Sequence, residues 1–207
     1  MKSKLIIVEG PQGSGKSSIS RLLREKMLST NLISLSGVSD KTESGSTKSF
    51  HYHAAVLDML FDCGKSGLNF VFDRSYLSEK VYCNLGYKPY TFQHQTDLLA
   101  DKLNLLNAYY DIYFIVLTTN EETYHERLKR DKAEYMKFSS ENSIKQQNEY
   151  IDELANLTAN YPSINGMVLT TTGKTPEQMV EYILKITQGE DDKYDENSKE
   201  KREIRKL

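Results

Sequence analysis

The chain has 207 residues and a mass of 23.8 kDa, with 38% hydrophobic and 27% charged residues, 11 Gly and 4 Pro, which suits one globular domain and excludes collagen-like or wholly disordered chains. Its 27 basic and 29 acidic side chains leave a net charge of −2, so duplex DNA is not the default partner: a nucleic-acid binder of this charge needs a local basic patch. Cys63 and Cys83 have neither CxxC nor zinc-ligand spacing, pointing to thiols in the reducing cytoplasm, and neither a signal peptide nor an apolar run of the roughly 20 residues a membrane helix needs is expected.

Short β-type runs alternate with helical patterns. Leu5 to Val8 is followed by Ile19, Leu22, Leu23 and Met27 at helical spacing, and Leu32 to Leu35 by Phe50, Ala54, Leu57 and Phe61 before Gly64. Asn69 to Phe72 precedes a stripe of Leu98, Leu99, Leu103 and Leu106; Ile112 to Leu117 precedes one of Tyr150, Leu154, Leu157 and Tyr161 that stops at Pro162. Met167 to Thr170 is the fifth run. Thr175-Pro176-Glu177-Gln178 then combines an N-cap, a first-turn proline and a capping-box Gln, opening a helix with Val180, Ile183 and Leu184 that ends at Gly189. Five strands separated by helices predict an α/β fold of three layers, a five-stranded parallel sheet flanked by helices. Residues 1–189 read as one domain, and 190–207, acids first and bases after, as a charged tail.

The strongest signal is Gly10-Pro11-Gln12-Gly13-Ser14-Gly15-Lys16-Ser17, which fits GxxxxGK(S/T) after the first strand and before the first helix. Glycines let backbone N–H groups approach phosphate oxygens, the helix N-terminus that continues into Ser18 favours negative charge, Lys16 reaches the β- and γ-phosphates, and Ser17 can ligate Mg²⁺. The strand–loop–helix setting argues against a chance glycine-rich turn and predicts a nucleotide triphosphate site. Asp73-Arg74-Ser75 sits at the carboxyl edge of the third strand, where α/β sheets bind ligands. Asp73 there suits Mg²⁺ held through water, and the planar fork of Arg74 suits an anion. The bland alternative is a structural Asp–Arg pair. After the fourth strand, Thr119-Asn120-Glu121-Glu122 reads as the start of a helix on which Arg127 and Arg130 are three residues apart and share a face. A basic helix is usually a solvated face; in a chain with this loop it reads as a lid over about 121–142 that neutralises a transferring phosphoryl group.

Asp73 to Tyr82, in register throughout, resembles the thymidylate kinase stretch DR(Y/H)xxSxxAY. It is also similar to the deoxynucleoside kinase stretch ERSxxSDR, through Arg74-Ser75 and the acidic Glu79 after Ser78. The chain thus resembles the thymidylate kinase and deoxynucleoside kinase branch of P-loop kinases. This resemblance implies that Arg74 holds the acceptor phosphate and that Tyr82 lies under the sugar. It implies a catalytic group of Lys16, Asp73, Arg74, Arg127 and Arg130, and ATP contacts from residues 10–18 and Arg127. Fold analogy adds Gly173 and Lys174 at the adenine edge. Acceptor contacts fall to Asp40, Phe50, His53, Ser78 and Glu79, with Phe50, His51, Tyr52 and His53 opening the second helix. The spacing His51-x-His53 is a poor helical metal pair. Gln12 stands near where thymidylate kinases commonly carry an aspartate, and residues 36–49 lack the arginine they carry after the second strand. Deoxynucleoside kinases place a glutamate base there, and Asp40 and Glu43 are the carboxylates available.

The leading expectation is therefore Mg²⁺- and ATP-dependent phosphoryl transfer to a deoxynucleoside monophosphate. The alternatives are transfer to a free deoxynucleoside 5′-hydroxyl, transfer to a nucleic-acid hydroxyl, or a nucleotide-binding switch without metabolic turnover. The expected partner is a small nucleotide or nucleoside; nucleic acid is not favoured, a membrane is not expected, and a homodimer stays open.

Overall fold

β1 (Ser3–Glu9) is apolar on both faces because a central parallel strand is covered twice: Leu5 and Ile7 enter one buried cluster, Ile6 and Val8 another. The same alternation sends Phe70 and Phe72 of β3 (Asn69–Asp73) to the first cluster and Val71 to the second. It also separates Ile112, Phe114 and Val116 of β4 (Tyr110–Thr118) from Ile115 and Leu117. With β2 (Thr30–Ser34) and β5 (Asn165–Thr170) at the edges, the sheet is parallel throughout, in the order β2-β3-β1-β4-β5. The computed structural model describes residues 2–40, 42–130 and 139–188.

Helices complete the three expected layers. Ile19 and Leu23 of α1 (Lys16–Lys26) and Met179, Val180 and Ile183 of α7 (Pro176–Gln188) cover one face. The other is covered by α2 (Ser44–Cys63), α3 (Tyr76–Asn84), α4 (Gln93–Leu105) and α6 (Ser140–Asn160), while α5 (Glu121–Arg130) packs on α6. Two helix starts form as the side chains dictate. The Gln178 N–H donates to Thr175 Oγ1 at 3.3 Å and the Thr175 N–H to Gln178 Oε1 at 2.9 Å, a reciprocal capping box. At α5 the Thr123 N–H donates to Asn120 Oδ1 at 2.9 Å.

Three expectations shift. α2 begins at Ser44, not at Phe50, because its first turns are a Ser/Gly/Thr run of weak helix propensity that hides the start from hydrophobic periodicity. α3 has six consecutive buried residues, Tyr76 to Val81, and so lacks the one-sided apolar stripe that marks a surface helix. Leu98, expected in the inner stripe of α4, is 43% exposed. The centre of the expected lid, 131–138, and the tail from 189 onward lie outside the described residues. Among those described, no helix is long and apolar enough to cross a membrane.

A titratable group lies inside this packing. His53 of α2 is 3% exposed, its Nε2 has no hydrogen-bond partner among the described residues, and its ring meets that of Tyr76 at a centroid distance of 6.5 Å. Burial pushes the imidazole down to about 4 from its ordinary 6.5. Between those pH values the unfolded chain binds a proton that the folded chain refuses. Stability is therefore unaffected above about pH 6.5 and falls as pH drops toward 4, by up to about 3 kcal/mol. Urea unfolding across this range is expected to show that decline, and His53→Leu to flatten it. An unchanged slope in the variant would place the effect elsewhere.

Candidate active site

The chain leaves β1 through Gly10, whose φ is +139° and where an added Cβ would lie 2.7 Å from the Leu117 carbonyl oxygen and 2.9 Å from Ser14 Oγ; no larger residue fits this turn. Gly15, with φ +92°, is the N-cap of α1, so the free N–H groups of the first helical turn face the loop's concavity. That cavity is roughly 460 Å³ and is lined by, among others, Gly13, Lys16, Ser17, Arg127, Lys174 and Met179. Ser17 and Ser18 are exposed at the helix start. Lys16 is 8% exposed, and its Nζ donates to the Pro11 carbonyl oxygen at a long 3.4 Å. Burial first, and then the Arg74 charge, lower its ammonium to about 7, against the opposing pull of Asp73 and Glu9. Such a cation gains strongly from an anion in the cavity.

Elements distant in sequence brace this loop. Ser143 of α6 donates from Oγ to the Gln12 carbonyl oxygen at 3.4 Å. Arg127 of α5 donates from Nη1 to the Gly13 carbonyl oxygen at 3.1 Å and to Thr171 Oγ1 at 2.9 Å, and from Nη2 to the Thr171 carbonyl oxygen at 3.3 Å. It therefore ties the loop to the β5–α7 turn and flanks the cavity. In that turn Gly173 has φ +68° and Lys174 stands with Nζ 5.8 Å from the Tyr182 ring centroid. The side chain of Arg130, at the end of α5, lies outside the described part of the structure.

β3 runs beside β1 with Asp73 opposite Val8, so Asp73-Arg74-Ser75 leaves the sheet next to Glu9-Gly10. The Arg74 N–H donates to the Val8 carbonyl oxygen at 3.0 Å, and Arg74 takes a left-handed φ of +77°. Oδ1 of Asp73 is buried with no hydrogen-bond partner among the described residues. Glu9, fully buried, accepts on Oε1 from the Ser75 N–H at 2.7 Å and the Ser75 hydroxyl at 2.6 Å, and on Oε2 from the Ser78 hydroxyl at 2.7 Å. Burial raises its carboxyl, while the bonds from Ser75 and Ser78 and the Arg74 charge pull it back. Arg74 Nη1 lies 3.1 Å from both Ser78 Oγ and the Tyr150 hydroxyl, and the guanidinium sits 5.7 Å from the centroid of the Tyr82 ring. Among the described residues no carboxylate stands within 4.0 Å of it.

Other expected acceptor residues have different surroundings. The Asp40 carboxylate accepts from the Thr42 N–H at 2.8 Å, Thr42 Oγ1 at 2.7 Å, Ser44 Oγ at 3.4 Å and the Lys48 ammonium. Lys48 and then Thr42 hold it well below the usual carboxylate range, so it anchors the turn into α2 and is a poor proton acceptor. Because α2 starts early, its inward face near the site is Gly45, Ser46, Ser49 and His53. Phe50 instead packs against the core, and His53 lines a small cavity with Ile7, Phe72, Ser75 and Tyr76. Glu79 accepts on Oε1 from the Tyr90 hydroxyl and from Lys88 Nζ at 3.2 Å. Its Oε2 is buried, without a hydrogen-bond partner among the described residues, and faces Gly37 in the β2–α2 loop.

Glu9 and Tyr150 were not expected at this site. Glu9 was legible as an acidic residue closing a buried strand directly before Gly10. Tyr150 reads as core from its spacing, and nothing in the spacing reveals where its hydroxyl goes.

No protein-family model and no curated protein sequence matches the chain, but solved structures match its fold. YorR from Bacillus subtilis, in complex with phosphorylated GDP, is 19% identical with a TM-score of 0.65; the match covers 90% of this chain and 97% of that one. Thymidylate kinase from Candida albicans is 19% identical with a TM-score of 0.57, over 91% and 92% of the two chains. Deoxyadenosine kinase from M. mycoides with bound dATP is 20% identical with a TM-score of 0.55, over 89% and 99%. The chain has the α/β P-loop fold of nucleotide and nucleoside kinases.

Proposed function

We propose that the protein is a kinase that transfers the γ-phosphoryl group of ATP to a deoxynucleoside monophosphate. The observation that carries this reading is Arg74: a guanidinium held by two hydroxyls and an aromatic face, with no carboxylate within 4.0 Å of it among the described residues, beside the glycine-rich loop. Such a cation is far more useful to an acceptor carrying phosphate than to a neutral sugar hydroxyl. The similar folds of a thymidylate kinase and a deoxyadenosine kinase support nucleotide chemistry in general. The state of Asp40 favours the monophosphate, because a hydroxyl acceptor gains from a proton acceptor whereas a phosphate acceptor is already anionic.

In this reading the loop and Lys16 hold the triphosphate, Arg127 and Lys174 flank the donor, and Arg74 aligns the acceptor. An acceptor phosphate oxygen bonds to the γ-phosphorus as the bond to the β–γ bridging oxygen breaks, and ADP leaves with that electron pair. Mg²⁺, when bound, would supply neutralisation of phosphate charge. The Ser17 hydroxyl and the Asp73 carboxylate, whose Oδ1 has no hydrogen-bond partner among the described residues, would hold such a cation.

ADP release across a panel of nucleosides, monophosphates and short oligonucleotides tests the acceptor directly. Arg74→Ala is expected to lower kcat/KM for the preferred monophosphate by roughly ten- to hundredfold, or about 1.5–3 kcal/mol. Asp40→Asn is expected to matter much less. Strong thymidine phosphorylation with no turnover of any monophosphate would overturn the proposal.

Lys16 adds a pH signature. Its ammonium, at about 7 without a ligand, is largely neutral at pH 8, and the bound triphosphate restores its charge. ATP binding at pH 8 is therefore expected to take up close to one proton, with affinity falling as pH rises above about 7. Titration calorimetry in buffers of different ionisation enthalpy measures this uptake. Its persistence in Lys16→Met would assign it to another group.

A further inference from the structure

The hydrogen bonds around Arg74 have a direction, and Glu9 sets it. An ionised carboxylate only accepts, so the single proton of the Ser78 hydroxyl points to Glu9 Oε2, 2.7 Å away. Ser78 Oγ must then accept from the Tyr150 hydroxyl, 2.7 Å away, and Tyr150 in turn presents its lone pairs to Arg74 Nη1 at 3.1 Å. Arg74 donates as well to Ser78 Oγ at 3.1 Å. The chain Arg74 to Tyr150 to Ser78 to Glu9 is polarised one way along its length. Ser75, bonded twice to the same carboxylate, fixes the turn that holds Arg74 in its left-handed conformation.

We infer that Glu9 and Tyr150 are positioning residues that aim the Arg74 guanidinium at the acceptor without forming a direct ion pair with it. A carboxylate bonded directly to Arg74 would occupy its fork and compete with an acceptor phosphate. Here two hydroxyls stand between the charges and fix one edge of the guanidinium, and the Tyr82 ring supports its face. α6 contributes to both halves of the site, through Ser143 at the Gln12 carbonyl oxygen and Tyr150 at Arg74. The inference rests on the kinase reading for its consequence, though not for its geometry.

Glu9→Gln tests the direction with little change of shape. Its amide oxygen can still accept from Ser75, but its NH₂ faces Ser78 and donates where the carboxylate accepted. Tyr150→Phe removes the other link. Each is expected to raise KM for the acceptor and lower kcat/KM about tenfold, and Tyr150→Phe, which leaves the charge near Lys16 unchanged, to keep KM for ATP within about twofold. In an Arg74→Ala background neither should cause a further loss, because each acts through Arg74. Multiplicative losses in the double variants, or an unchanged acceptor KM, would overturn the inference. A merely structural role would lower the unfolding temperature and affect ATP and acceptor alike; should Glu9→Gln not fold, Tyr150→Phe carries the same test.

The coupling is measured on whichever acceptor the wild-type protein phosphorylates, so a preference for nucleosides would defeat the monophosphate reading without deciding this one. A second readout needs no acceptor: the ¹⁵N resonances of the Arg74 Nη groups in the ligand-free protein. Slow rotation, with resolved Nη signals in wild type and averaged signals in both variants, is expected. Averaged signals in wild type would overturn the inference.

Discussion

The register of β1 against β3 is the constraint on which the site depends. With Val8 opposite Asp73, two adjacent central strands end level, and the chain segments that follow them, one glycine-rich and one basic, emerge side by side. A slip of one residue in this pairing would turn every side chain of β3 to the other face, taking Phe70 and Phe72 out of one cluster and Val71 out of the other. Packing on both faces of the sheet thus fixes the spacing between the phosphate loop and Arg74. The Arg74 N–H continues the ladder by one bond, to the Val8 carbonyl oxygen, before the chain turns away.

That turn carries strain. A left-handed arginine costs about 1–2 kcal/mol relative to ordinary backbone conformations, and it persists because its neighbours over-determine it. Ser75 is bonded through both its N–H and its hydroxyl to Glu9, and the Ser75 hydroxyl also accepts the Leu77 N–H at 3.2 Å as the N-cap of α3. α3 is in turn joined to α6 through Asn84, whose amide donates to Glu149 at 2.6 Å and Glu153 at 2.7 Å. The strained residue stands between two rigid elements, where it can present a charge in one orientation.

Much of this was legible in the sequence. All five strands overlap the β-type runs, and β1, β3 and β4 read as continuous apolar runs because both their faces are covered. The phosphate loop is legible because its chemistry requires glycine at fixed positions, and the α7 capping box because Thr175 and Gln178 bond each other locally. What was not legible depends on contacts distant in sequence. α3 is buried on all sides by elements that only the tertiary fold assembles, so its periodicity is silent. Asp40 is a plausible base until Lys48 and Thr42 are seen to hold its carboxylate. Phe50 looks like a stacking ring until the early start of α2 turns Ser49 and His53 inward. Glu9 stands in the sequence as a carboxylate closing a buried strand directly before Gly10, but its partners Ser75 and Ser78 lie far along the chain.

The electrostatics of the ligand-free site explain why these charges remain poised. Lys16 and Arg74 repel each other, and Glu9 and Asp73 offset them, so the patch is formally neutral and its burial is tolerable. Each carboxylate nevertheless avoids close contact with Arg74. Glu9 satisfies its lone pairs with two serine hydroxyls and a backbone N–H, so its Coulombic attraction for Arg74 acts across the Ser78 hydroxyl and not at contact distance. This attraction stabilises the guanidinium where it is, but is weaker than a bidentate bond to phosphate at contact distance. An arriving anion therefore displaces no ion pair. It meets Arg74, a cation already fixed in place whose desolvation has been met in folding, and Lys16, which regains a proton as the anion binds.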